Sequence, residues 1–326
     1  MNLRRLVHLA AAAAALCSIS PAAAEDWPTR PLTLVVGTAA GGGSDIFARI
    51  LVLRLSELLG QQVIVENVGV SPIAASRVAK APPDGYRFLL GTAATHAYSA
   101  TLYKHPLYDA IADFDPVGLI AEQPLTLVAR NDFPANNLKE FAAYVKANEA
   151  DVKFGSGAGI GSANHLVCEL LNSAMGVKPI HVPYRDQGRT TQDMIAGRID
   201  YQCPLPTTMI PLIETHQVKG IAFLGRERLP SLPNLATAQE QGLTNFVGAT
   251  WFAFFFPKGT PAPTIRKLHD ATVATMETPA VRERLLVIGA TVVAPDRRSP
   301  EYLQKFVRSE IEKWAAPIRA TGASLD

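Results

Sequence analysis

The sequence predicts an α/β protein of two lobes joined by a hinge of two crossover strands. A strand, a glycine-rich loop and a helix follow one another at Pro31 to Leu53, and the same succession returns at Val152 to Ser173, about 115 positions later. Apolar, β-branched runs alternate with helical patterns along the rest of the chain. The chain has 326 residues, and roughly 300 remain after an amino-terminal signal, which suits two lobes better than one ordinary core.

The first unit opens on the apolar run Leu32 to Val36, a buried strand, followed by the side-chain-poor stretch Gly37 to Gly43. Ser44 and Asp45 then stand where a helix cap is expected, ahead of Ile46, Phe47, Ile50, Leu51 and Leu55. Such a loop lets N–H groups reach a ligand, and the helix end adds partial positive charge, so the unit suits an anion. The same residues also suit a tight strand-to-helix turn with glycines for packing. Neither G-x-G-x-x-G nor G-x-x-x-x-G-K-[ST] occurs here.

Met1 to Ala24 reads as a secretory signal, with Arg4 and Arg5 before an Ala/Leu-rich core and Pro21-Ala22-Ala23-Ala24 at the cleavage site. Its removal takes the formal charge of +2 to about zero, which argues against nucleic acid or an acidic membrane surface as partner. Strands are expected at 63–65, 86–90, 114–120, 125–129, 152–154, 179–183, 199–203, 218–223 and 251–256. Helices are expected at 76–81, 138–148, 163–173, 189–196, 208–214, 264–276, 280–288 and 300–316. Gly91 to His96 reads as a small polar loop at a strand end, a second place to meet a ligand. Cys168 and Cys203 match no metal spacing. An oxidising compartment permits a disulfide between them, whereas the apolar run HLVCELL favours a buried thiol at Cys168.

The order of segments then carries a resemblance: WPTRPLTLVV, GGxxDxxAR (Gly41 to Arg49), LGQQVIVEN, VAKAPPDGY, FDPVGLI, GSxxHL (Gly161 to Leu166), HVPY (His181 to Tyr184), LPSLPNLATAQEQG, PKGTPAP and EKWAAPIRATG. Over essentially the whole mature chain this resembles the solute receptors of tripartite tricarboxylate transporters, often called Bug proteins. The resemblance implies a periplasmic-binding-protein fold of the Venus flytrap, type II-like kind. It also implies capture of a small carboxylated organic acid in the periplasm, delivery to membrane permease subunits, a monomer, and no cofactor, metal or catalysis. First-lobe contacts would come from Thr38, Ala40, Gly41, Gly42, Gly43, Ser44 and Asp45, with Thr92 and Thr95. Second-lobe contacts would come from Ser156, Gly159, Gly161 and Ser162, with His165 beside them.

The chain departs from the family pattern in several places. Thr38-Ala39-Ala40 replaces prolines before the glycines, Val68 to Ile73 replaces a P-G-x-G-G stretch, and Asp186-Gln187-Gly188-Arg189 replaces G-x-x-P. Pro204-Leu205-Pro206 stands where an Asp often occurs, which removes one partner for an ammonium group, while Arg189 near a helix start could meet a second carboxylate. Asp45 would repel an anion, so capping and loop fixing is its alternative role. Tyr184 is expected to wall the ligand cleft, with packing as its alternative; packing or helix-end hydrogen bonding is the alternative for His165; and Trp251, Phe252, Phe254, Phe255 and Phe256 read as core, with room for one ring to reach the cleft. The expected lobes are 25–124 with 251–326, and 125–250. A ligand sensor for a signalling system is the rival reading. A secreted hydrolase is disfavoured because neither Ser44 nor Ser162 lies in G-x-S-x-G.

Overall fold

The structure is a computed structural model that describes residues 27–322, 324 and 325. The signal expected over 1–24 lies outside the described residues.

Strand β1 (Leu32–Val36) leads through the glycine loop into α1 (Gly43–Leu59), then β2 (Val63–Asn67), α2 (Ser71–Ala79) and β3 (Arg87–Thr92). Short β-branched runs separated by amphipathic helices can pair in parallel only through such crossovers, and β1 lies between β2 and β3, parallel to both. The expected loop after β3 is instead a π turn, Ala94–Tyr98, continuing into α3 (Ser99–Leu102). Next comes β4 (Phe114–Pro124), which crosses into β5 (Thr126–Arg130).

The second unit follows: α4 (Leu138–Ala147), β6 (Lys153–Ser156), α5 (Ala163–Met175), β7 (Ile180–Pro183), α6 (Gln187–Ile195), β8 (Tyr201–Gln202), α7 (Pro206–Glu214) and β9 (Val218–Phe223). The chain returns in β10 (Ala249–Pro257) and ends with α8 (Ala262–Glu277), α9 (Pro279–Val287), β11 (Thr291–Val292) and α10 (Pro300–Thr321). Among the described residues no helix is long and apolar enough to cross a membrane.

Two sheets result, with orders β11-β4-β10-β3-β1-β2 and β7-β6-β8-β5-β9. Their plans correspond. Three parallel strands lie with the first of them in the middle, and one antiparallel strand, β10 or β5, sits beside the third. The recurrence of the strand–loop–helix unit is therefore a recurrence of topology. Where the chain passes between the sheets, Leu125 N–H donates to Gly248 O, Leu224 N–H to Leu125 O and Gly248 N–H to Leu224 O, at 2.8–2.9 Å.

The aromatic strand β10 shows why a run without polar alternation is a central strand covered on both faces. Successive side chains of a strand point to opposite faces. Phe252 stacks on Phe47 of α1 at 4.0 Å, and Phe254 and Phe256 pack on Phe88. On the other face Phe255 stacks on His96 at 3.7 Å, and Trp251 packs against Phe306 of α10. Trp314 docks α10 against Tyr98, and its Nε1–H donates to Glu310.

Cys168 and Cys203 form a disulfide between α5 and the end of β8. This corrects the expectation of a buried free thiol: the pairing of β8 with β6, under α5, brings the two Cα atoms to 5.5 Å, within bridging reach. Several helices also start earlier than their apolar patterns do, α2 at Ser71, α6 at Gln187 and α7 at Pro206.

Candidate functional site

A cleft of about 270 Å³ lies between the two sheets, walled by Thr38 to Ser44 from one side and by Gly157, Ala158, Asn164, Asp186, Gln187, Gly188, Leu205 and Thr208 from the other. Both walls are built at the carboxyl ends of strands, where loops and helix starts meet.

On the first side Gly42 is the N-cap of α1 and supplies no side-chain cap, so the capping expected of Ser44 or Asp45 is not what opens the helix. The first intrahelical bond runs from Ile46 N–H to Gly42 O, which leaves the N–H groups of Gly43, Ser44 and Asp45 above the ladder. Asp45 is 2% exposed and sits behind the loop. Its carboxylate accepts from Gly41 N–H at 2.8 Å, Asn67 Nδ2 at 3.0 Å and Arg49 Nε at 3.0 Å. Burial works against its charge, but Arg49, Gly41 and Asn67 outweigh that and hold the carboxyl below the ordinary range. Asp45 thus fixes the loop, which was its alternative reading. Asn67 also donates to Thr38 O, and Gly41 has φ +79°. Thr38 Oγ1 is shielded from solvent and has no partner among the described residues.

On the second side most polar groups of the glycine loop serve the loop itself. Ser162 caps α5, accepting from His165 N–H and donating to Gly159 O. Ser156 Oγ bonds His181 Nε2 at 2.8 Å. His165 Nδ1 accepts from Gly161 N–H, and its ring stacks on His181 at 4.2 Å. Burial, then the neighbouring His165, pushes the His181 pKa down to about 3. These bonds leave the loop apex, Gly157 and Ala158, facing the cleft. Gly157 is required there, because a Cβ on it would lie 2.3 Å from Gln187 Oε1.

The structure therefore brings Thr38, Ala40, Gly41, Gly42, Gly43 and Ser44 together in the lining. It places Asp45 behind them, and Ser156, Gly159, Gly161 and Ser162 within the framework of the second loop. Thr92 and Thr95 bond each other, Thr92 N–H donating to Thr95 Oγ1 at 2.8 Å, and neither lies in the lining. Tyr184 donates to Asp193 at 2.9 Å, and Asp193 is paired with Arg198 at 2.6 Å. Arg189 is exposed as the third residue of α6, away from the lining. Asp186, Gln187, Gly188, Leu205 and Thr208 were missed. The signal for the first three was Asp186 as N-cap, accepting from Arg189 N–H at 2.8 Å. Among the described residues no group of three His, Cys, Asp or Glu side chains converges as a metal set.

A glycine of each lobe lies against a leucine of the other. A Cβ on Gly43 would lie 2.6 Å from Leu205 Cδ1, and one on Gly161 would lie 2.2 Å from Leu102 Cδ2.

Two sheets of matching plan, joined by crossover strands and enclosing a cleft lined by helix starts, define the two-lobe fold of solute-binding proteins. Solved structures agree over nearly the whole chain. The periplasmic binding protein BugD is 36% identical with a TM-score of 0.86, covering 91% of this chain and 99% of its own. MatC from Rhodopseudomonas palustris, with bound malate, is 35% identical with a TM-score of 0.83, covering 90% and 100%. A further R. palustris protein, solved with adipate, is 33% identical with a TM-score of 0.85, covering 92% and 100%. The sequence model of the tripartite tricarboxylate transporter family receptor matches residues 47–323, and the chain belongs to that family.

Proposed function

We propose that this receptor captures a small carboxylated organic acid in the periplasm, as a monomer, and hands it unchanged to the membrane permease subunits of a tripartite tricarboxylate-type transporter. One observation carries the reading. The cleft wall at α1 presents N–H groups outside the helical ladder and, among the described residues lining it, no Lys or Arg. A carboxylate is an acceptor, so it suits a wall of donors at the positive end of a 17-residue helix. The family relationship and the malate and adipate seen in similar proteins support the same class of ligand.

Residues 25–124 with 251–326 would move as one body and 125–250 as the other. Bending would be confined to the crossings at Pro124-Leu125 and Thr250-Trp251. Closure gains free energy only from contacts made in the closed state. The reading is tested by a thermal-shift and calorimetric panel of mono-, di- and tricarboxylates and aromatic acids, followed by mass spectrometry of the released ligand. A tight acid recovered intact is expected. Recovery of a converted product, or an acid located by crystallography far from α1, would overturn it.

A further inference from the structure

We propose that Asp186 reads a hydrogen-bond donor on the ligand, so that the cleft selects acids carrying an ammonium or hydroxyl group remote from the carboxylate held at α1. The inference rests on the carboxylate reading above and narrows it.

Among the described residues lining the cleft, Asp186 alone carries a formal charge. Its Oδ1 accepts from Arg189 N–H at 2.8 Å as the N-cap of α6. No hydrogen bond among the described residues occupies Oδ2. The neighbouring polar group is already engaged: Gln187 Oε1 accepts from Asn164 at 2.9 Å, while its Nε2 donates to Gln202 at 2.7 Å and to Thr191 at 3.1 Å. The two nearest cations in sequence, Arg185 and Arg189, are both exposed, neither lines the cleft, and neither side chain is paired with Asp186 among the described residues.

An ionised carboxylate only accepts, so whatever meets Oδ2 in the closed cleft must donate. An ammonium group would gain an ion pair as well as a hydrogen bond, and a hydroxyl a charge-assisted hydrogen bond alone. A second ligand carboxylate would place two like charges in a confined space poor in water, where their repulsion is weakly screened. The cleft is thus bipolar, with helix-end donors on the first lobe and a single acceptor charge on the second. Linear dicarboxylates fit one end only.

The test is titration calorimetry on the full mature chain with three series of three to six carbons: ω-amino acids, ω-hydroxy acids and α,ω-dicarboxylates. Wild type and Asp186→Asn are compared. Asn also caps helices well, so α6 should persist, and unliganded melting checks this. In wild type the best donor-bearing acid should bind at least tenfold more tightly than the dicarboxylate of equal length. Asp186→Asn should weaken that acid tenfold or more and tighten the dicarboxylate. The amino and hydroxy arms identify the donor. Equal or tighter dicarboxylate binding in wild type, or a preference that Asp186→Asn leaves unchanged, would overturn the inference while leaving the carboxylate reading intact. Failure of every acid to bind wild type would overturn both.

Discussion

His96 lies fully buried between Phe255, stacked at 3.7 Å, and Phe114 at 4.7 Å, with Thr95 Oγ1 2.9 Å from its Nδ1 and no partner for Nε2 among the described residues. Burial pushes its pKa from 6.5 down to about 3. The unfolded chain therefore takes up a proton below about pH 6.5 that the folded chain refuses until about pH 3, so stability rises with pH across that window. At pH 5 the loss relative to pH 7.5 from this residue is about 2 kcal/mol. His181, also held down to about 3, adds in the same direction. Melting curves should show a marked fall from pH 7.5 to pH 5, and His96→Phe should flatten that fall. An unchanged pH dependence in the variant would assign the acid sensitivity elsewhere.

At the scale of elements, the loops meet their opposite lobe through glycines whose missing side chains are the contact. Gly43→Ala keeps α1 regular, since alanine is a better helix former, but sets its Cβ against Leu205. Affinity for the bound acid should fall about tenfold, with unliganded stability within ~1 kcal/mol of wild type. Scattering should show a liganded form less compact than wild type, and full compaction with full affinity would exclude the closed-state contact. Gly161→Ala adds backbone strain at φ +82°, so it should cost stability as well, about 1–2 kcal/mol. These elements also show how far the sequence could be read. β1, β9 and the aromatic strand β10 follow from apolar runs bounded by breakers, and the loop before α1 was legible because a side-chain-poor stretch, Gly37 to Gly43, stands between a strand and a helix start. The second wall was not legible, because its polar residues at α6 and α7 precede the apolar pattern by two residues in each case. With the helix start placed at residue 189, Arg189 stood out in place of Asp186, and the start of α7 gave no site residue at all. Thr92 and Thr95 drew notice as strand-end hydroxyls, but the π turn closes them on each other.

Across the whole molecule, the disulfide ties α5 to the strand that leads into Leu205, over a separation of 35 residues. A loop of that size is worth about 2–4 kcal/mol. Reduction, or Cys168→Ser with Cys203→Ser, should lower the urea midpoint accordingly and weaken ligand binding through the loosened Leu205 wall. A midpoint that does not move would show that packing alone holds α5 on β8. The sheet orders carry a further consequence. β10, from the last third of the chain, is wedged between β3 and β4, both made by residue 124. A nascent chain lacking residues beyond 249 has no partner to join those strands, so the amino-terminal sheet cannot close during early synthesis. Such high contact order delays folding until the polypeptide is nearly complete.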